Sequence, residues 1–179
     1  MDSARSALRQ ALQADHDRVD EAYGGFDLAD PAAYLRFLTA HARALFAVET
    51  ALADRAVWPA WRPRSALLRD DLGALGGAAP AAYADPLPQG AAASWAMLYV
   101  LEGSRLGGRV LSARVPAGLP KRYLDAVHQP GEWKLFTTLL GERFAELSIE
   151  QWQEAEQAAR IVFALFARSA AEETGSLGG

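Results

Sequence analysis

At 179 residues, with 51% hydrophobic and 22% charged side chains, the chain has the size and composition of one globular domain, able to bury roughly 70% of its unfolded surface without a disulfide or metal staple. A net charge of -4 and a pI near 5.4 argue against nucleic acid or an anionic membrane as the main partner. The absence of cysteine excludes thiolate catalysis, iron–sulfur clusters and disulfides; no apolar run has the length to span a bilayer and the polar first residues do not read as a signal peptide, so a cytoplasmic protein is expected.

Nearly the whole chain carries the helical period. Leu8, Leu12, His16, Val19 and Tyr23 recur at spacings of three and four, which predicts one amphipathic helix over residues 3–23, stopped by Gly24 and Gly25. Asp30 and Pro31 are a capping residue and a proline at the first helical position, and open a helix that runs to about Asp54 with Tyr34, Leu38, His41, Leu45 and Val48 on one side. Trp58 to Pro63 reads as a rigid connection. A third helix then carries Leu67, Leu68, Leu72 and Leu75 and is halted by Gly76 and Gly77; residues 78–90, with Pro80, Pro86 and Pro88, form a loop. The next helix begins near Gln89, takes in Trp95, Leu98, Tyr99 and Val110, and ends near Arg114. After Pro116, Gly118 and Pro120 comes a helix from about Glu132 to Glu146 with Trp133, Phe136, Leu139, Leu140 and Phe144. Ser148 and Gln151 have capping-box spacing and open a last helix with Trp152, Ile161, Val162, Leu165 and Phe166. The expected fold is all-α, a single-domain multi-helix bundle of six to eight helices over residues 1–173 with a flexible tail at 174–179.

The fourth of these helices contains Gly103, Gly107 and Gly108. Each costs a helix interior about 1 kcal/mol relative to alanine, and a total on the order of 3 kcal/mol is a large share of a domain's stability. Gly103 and Gly107 are one turn apart with Gly108 beside them, so with Ser104 they make a patch almost bare of side chains. Either another helix packs there at close range or something flat lies on the backbone. His16 sits in an apolar stripe and is expected to face the core, with Asp20 one turn on to hold one ring nitrogen. That arrangement serves an iron or zinc ligand and equally a hydrogen-bonded core histidine. His41, with Glu49 two turns later, reads as structural, and His128, before Gln129-Pro130-Gly131, as a surface residue. Asp70-Asp71 and Glu172-Glu173 read as solvated faces. Arg105, Arg109, Arg114, Lys121 and Arg122 form a basic region, either a receiver of carboxylates or a solvated face. The spacing of Gly103 to Gly108 is not that of a phosphate loop, and no E-x-x-H pair exists for a di-iron bundle.

Four segments in order resemble the bacterial heme oxygenases, above all the biliverdin-producing branch associated with bacteriophytochromes. They are Leu8 to Asp20; Tyr34 through His41 to Glu49; Tyr99 to Gly108; and Trp133 with Phe136, followed by Ala159, Arg160 and Phe163. The resemblance implies that heme b is both cofactor and substrate, that O2 and an external electron donor are consumed, and that biliverdin, iron and carbon monoxide are released. His16 is then the axial ligand to the iron, with Asp20 as its partner and Phe163 beside the cofactor. Gly103, Ser104, Gly107 and Gly108 form the distal catalytic face, where missing side chains let the backbone confine bound oxygen against a ring-edge carbon. Neutral imidazole ligation gives little push toward O–O cleavage, in keeping with a face that lacks a strong acid. Ser104 stands where animal-type members carry a distal aspartate, and is expected to order a water more weakly. Arg9 matches a basic position of the family, and Arg160 and Tyr99 are further candidates to receive the heme propionates. The implied partners are heme, an electron-donor protein such as a ferredoxin or reductase, and a bacteriophytochrome receiving biliverdin, with no nucleic acid and no membrane. The competing reading is a non-catalytic heme or bilin carrier on the same fold.

Overall fold

The computed structural model describes residues 2–55 and 57–175, and among them lie seven α-helices and no strand. In chain order these are α1 (Asp2–Ala11), α2 (Gln13–Gly24), α3 (Pro31–Leu52), α4 (Ser65–Ala74), α5 (Ala91–Ser112), α6 (Glu132–Ala145) and α7 (Ile149–Gly175). The all-α expectation holds. The helix expected over residues 3–23 is divided at Leu12 into α1 and α2. Helix α7 runs on through Thr174 and Gly175, the first two residues of the expected tail; the other four lie outside the described residues.

Side chains in the sequence set most of the ends. Asp30 accepts from the Ala33 amide at 2.7 Å and Pro31 follows it, which satisfies one of the orphan donors of α3. Ser148 and Gln151 form the reciprocal capping box of α7: the Gln151 amide donates to Ser148 Oγ at 3.2 Å, and the Ser148 amide to Gln151 Oε1 at 3.0 Å. At the end of α4, Gly76 adopts φ +76° and the Gly77 amide returns to the Leu72 carbonyl at 2.9 Å, a closure open to glycine because it has no Cβ. The start of α4 is capped from another helix. Buried Glu49 of α3 accepts from the Arg64 and Ser65 amides at 2.7 and 2.9 Å, placing a carboxylate at the positive end of the helix.

Helix α7, 27 residues long, packs on α2, α3 and α5 at once, while α4 packs on α3 and α6 on both α1 and α5. Its inward face is Ala155, Ala158, Ala159 and Val162, all fully buried, and small side chains there allow close approach of the neighbouring backbones. Leu38, Leu45 and Val48 of α3 and Leu98 and Leu101 of α5 complete the centre. Helices α2 and α5 both lean on α7 but have no comparable interface with one another.

The segment between α5 and α6 is tied back across the bundle. Tyr34 donates to the Pro120 carbonyl at 2.9 Å, and Asp71 accepts from the Arg122 and Tyr123 amides at 3.2 and 2.8 Å. Asp71 is therefore not on a solvated face: it is fully buried, and burial raises its pKa against the lowering effect of those two amides. Glu173 likewise pairs with Arg43 at 2.8 Å.

His41 is structural, as its position in the stripe suggests. Its ring stacks on Tyr23 (centroids 4.3 Å apart) and meets the edges of Phe37 and Phe166, with Tyr123 at 5.6 Å. Burial first, and the charge of Arg64 second, push its pKa from 6.5 down to about 3. The folded protein thus keeps His41 neutral where the unfolded chain binds a proton, so this residue withdraws stability as pH falls from about 6.5 towards about 3. His41→Leu is expected to flatten the pH dependence of unfolding free energy across that window, measured by urea denaturation at several pH values; an unchanged slope contradicts the assignment.

Candidate functional site

Within the stripe that runs through α1 and α2, Leu8, Leu12 and Tyr23 are buried, and Val19 packs against the core. His16 is not. Its side chain is 57% exposed, which overturns the expectation that it faces the core. The helical period places it on the right stripe, but no neighbouring helix fills the space beyond it. Asp20 Oδ2 lies 3.2 Å from Nδ1, with Asp17 farther off at 4.0 Å, and the ring meets Phe163 of α7 nearly edge-on, with centroids 6.0 Å apart. The carboxylate stands beside Nδ1, on the ring of a half-exposed side chain. An exposed ring with a carboxylate beside one nitrogen is the arrangement of a histidine presented to a ligand.

The three glycines of α5 differ in what surrounds them. A Cβ on Gly108 would lie 3.2 Å from the Leu124 carbonyl oxygen, so this glycine admits the tied-back segment at close range. A Cβ on Gly103 would meet the edge of the Trp133 ring at 3.9 Å, ordinary contact. At Gly107 a Cβ would have nothing within 4 Å among the described residues. Gly103, Leu106, Gly107 and Val110 fall on one stripe, and Leu106 and Val110 are 48% and 68% exposed. An apolar, partly bare stripe open to solvent is the kind of surface that marks a ligand or partner site. Of the two alternatives raised by the glycine cost, Gly108 fits close packing and Gly107 fits open space.

Ser104 is committed elsewhere. Its hydroxyl donates to the Leu101 carbonyl and accepts from Arg64 Nη2, both at 2.7 Å. Arg64, buried at the start of α4, also donates to the Leu101 carbonyl at 2.9 Å and lies over the Tyr123 ring. Nothing in the sequence around Arg64 marks it as buried. Two other expectations are corrected here. Arg105 does not belong to a basic surface: it is buried, with Nε 3.0 Å from both Glu102 oxygens, and it donates to the Ala126 and Arg62 carbonyls. Desolvation, the largest influence, lowers its pKa, and the Glu102 charge opposes that. His128 is not a surface residue either. Its side chain is 6% exposed, Nε2 is 2.9 Å from Glu102 Oε2, and its ring leans on Trp133. Glu102 supplies the shared carboxylate that draws both residues inward.

Tyr99 begins the open stripe of α5, stacked on Trp133 with centroids 6.1 Å apart. Burial raises its pKa, while the charges of Arg5 and Arg9 on α1 act to lower it, which puts two cations within electrostatic reach of this phenol. Arg9 was a candidate from sequence; Arg5, one turn earlier, was missed, although the i, i+4 spacing was there to be read. Arg160 of α7 is 44% exposed and pairs with Glu156 at 2.6 Å and Asp15 at 3.5 Å. Two open hollows elsewhere, one lined by Thr50, Asp54 and Asp85 and one by Gln89, Ser94 and Arg143, contain none of these residues.

No protein-family model matches the chain. A heme oxygenase of Xanthomonas campestris pv. campestris (strain 8004) is 34% identical to it over 149 residues, 76% of this chain and 88% of that one. The chain belongs to the heme oxygenase family. The fold agrees: the NO- and CO-bound heme oxygenase from Neisseria meningitidis, solved by crystallography, superposes with a TM-score of 0.78 at 25% identity, covering 96% of this chain and 92% of that one.

The glycine environments separate two roles in this heme oxygenase. Gly107→Ala is expected to raise the unfolding free energy of the ligand-free protein by about 0.5–1 kcal/mol, the helix-propensity gain with no clash. Gly108→Ala is expected to give no such gain, because Leu124 lies between residues anchored by Asp71 and by Ser112, which bonds Asp125. Urea denaturation of the two variants checks this; equal stabilisation by both contradicts the packing role of Gly108.

Proposed function

We propose that His16 and the Gly103–Val110 stripe are the two walls of one cleft, that heme lies between them, and that the protein degrades it. The protein is an oxidoreductase of the heme oxygenase type, converting heme to biliverdin, iron and carbon monoxide. The observation that carries the assignment is the imidazole of His16, 57% exposed with the Asp20 carboxylate 3.2 Å from Nδ1.

The surrounding residues fit a flat, anionic, iron-bearing macrocycle. Helices α2 and α5 stand on α7 with no comparable interface between them, Gly107 offers bare backbone, and the charges of Arg5 and Arg9 act on the Tyr99 phenol. Bound heme supplies the iron at which dioxygen is activated and the meso carbon that is oxidised. His16 would hold the iron through Nε2, with the Asp20 carboxylate beside Nδ1 to orient the ring. Phe163 limits rotation of the ring. Gly107 lets the α5 backbone come close to the distal face. Gly103 and Gly108 shape that face indirectly, one beside Trp133 and the other against the segment holding Leu124.

The stripe from Tyr99 through Gly103, Leu106 and Gly107 to Val110 carries one phenol and no carboxylate. Tyr99 is thus the one ionisable side chain on that stripe. Ser104, with its proton given to Leu101 and its lone pair to Arg64, fixes Arg64 against α5 more than it orders water. Arg9, with Arg5 and Tyr99, receives the propionates. Electrons come from an external donor, a ferredoxin or a reductase, and biliverdin passes to an acceptor such as a bacteriophytochrome. No helix of the described residues is long and apolar enough to cross a membrane, and the cytoplasm is the proposed compartment.

Ferric heme, an electron donor and air, followed by chromatography of the pigments, test this function. The wild type is expected to yield a bilin, and His16→Ala to bind heme more weakly and yield none. Gly107→Leu is expected to keep the fold and lose at least about tenfold in bilin formation, since the added side chain displaces the oxygen site. Recovery of intact heme from the wild type under these conditions assigns the protein as a carrier instead.

A further inference from the structure

The break between α1 and α2 has no local cause. Residues 8–16 contain neither proline nor glycine, and helix kinks arise from those residues, from π-bulges or from a group inserted into the hydrogen-bond ladder. Here a side chain of α7 engages the backbone at the break. A continuous helix would offer the Ala11 carbonyl to the Asp15 amide. Instead that carbonyl accepts from Arg160 Nη2 at 3.3 Å, and Arg160 Nε lies 3.5 Å from Asp15 Oδ2. The two contacts are four residues apart and bracket Leu12. On either side the ladder is intact: the Leu12 amide reaches the Leu8 carbonyl at 3.1 Å, and the His16 amide reaches Leu12 at 3.0 Å. Asp15 also receives Arg18 at 3.1 Å, and Glu156, one turn before Arg160, holds the guanidinium from below at 2.6 Å. Three residues beyond Arg160 on the same face of α7 is Phe163, which meets the His16 ring.

We propose that the break at Leu12 is a hinge and that Arg160 is the positioning residue that pins it, setting where His16 stands relative to the open face of α5. Arg160 acts through the backbone: it fixes the first turn of α2, and His16 lies in that turn. Its charge is balanced by Asp15 and Glu156, so the primary work of this residue is at the hinge and not at the propionates. The inference rests on the reading of His16 as the iron ligand, but its first test needs no heme.

Amide hydrogen exchange of the ligand-free protein reads the hinge directly. Arg160→Ala is expected to speed exchange at the Leu12 and His16 amides, which hold the ladder on either side of the break, by roughly tenfold, the scale of one lost net hydrogen bond, while α3 and α5 keep wild-type rates. Arg160→Lys keeps the charge but cannot reach Ala11 and Asp15 with separate nitrogens, so it is expected to behave as Arg160→Ala. In the ferrous heme complex, both variants are expected to shift or broaden the iron–histidine stretch in resonance Raman spectra, and to lose affinity equally for heme and for heme dimethyl ester. Wild-type exchange at the Leu12 and His16 amides in either variant overturns the proposal. So does acceleration spread evenly over α3 and α5, which marks a general staple, and so does a loss of affinity confined to the free diacid, which marks a propionate ligand. Because exchange is measured without heme, failure there counts against the hinge alone, and failure to bind heme counts against the ligand reading alone.

Discussion

The packing of α7 against α2, α3 and α5 together is the constraint on which the site depends. Two helices fixed to a common third, and not to one another, have their separation set by the third. The alanines at 155, 158 and 159 let the bundle close tightly around α7, and native packing density makes that arrangement stiff. The same helix projects Arg160 and Phe163 toward α2, so the element that holds the two walls also orients the imidazole on one of them. On the proposed reading, a cleft between two helices fixed this way is set before heme arrives, and less ordering has to be done on binding.

Around this frame the unusual residues sort by what they touch. Gly108 is small because a backbone carbonyl approaches it, and Gly107 is small with no described residue opposite. Glu102, Arg105 and His128 form a buried polar cluster directly behind the stripe. Arg64 does the same work one turn away with Ser104 and the Leu101 carbonyl. Such clusters tolerate little displacement, because removing one partner strands the others in a low-dielectric interior. Their contribution is to tie α5 to the start of α4 and to the segment before α6, while the Gly103–Val110 stripe stays open.

The helices were legible in the sequence where a local rule decides them. Asp30 with Pro31, Ser148 with Gln151, and Gly76 with Gly77 all act through neighbours within a few residues, and the structure shows each doing so. The contact at the Leu12 break was illegible because Arg160 lies 149 residues from the Ala11 carbonyl it engages. Burial of Asp71, Arg64, Arg105 and His128 was illegible for the same reason: a charged side chain is drawn inside by partners that only the fold brings near. Periodicity found the stripe holding His16 but not whether another helix covers it, so the residue was expected in the core when it stands at an opening. The glycine cost could be counted from the sequence, but assigning it required knowing that Leu124 faces Gly108 and that no described residue faces Gly107.

The central claim is that His16 offers Nε2 to a heme lodged between α2 and α5. Electron paramagnetic resonance of the ferrous nitrosyl-heme complex tests it directly, because a nitrogen ligand trans to nitric oxide splits the signal. The account predicts imidazole nitrogen splitting in the wild type that disappears in His16→Ala and returns when free imidazole is added to that variant. A wild-type signal without that splitting, or a splitting that survives the loss of His16, contradicts it.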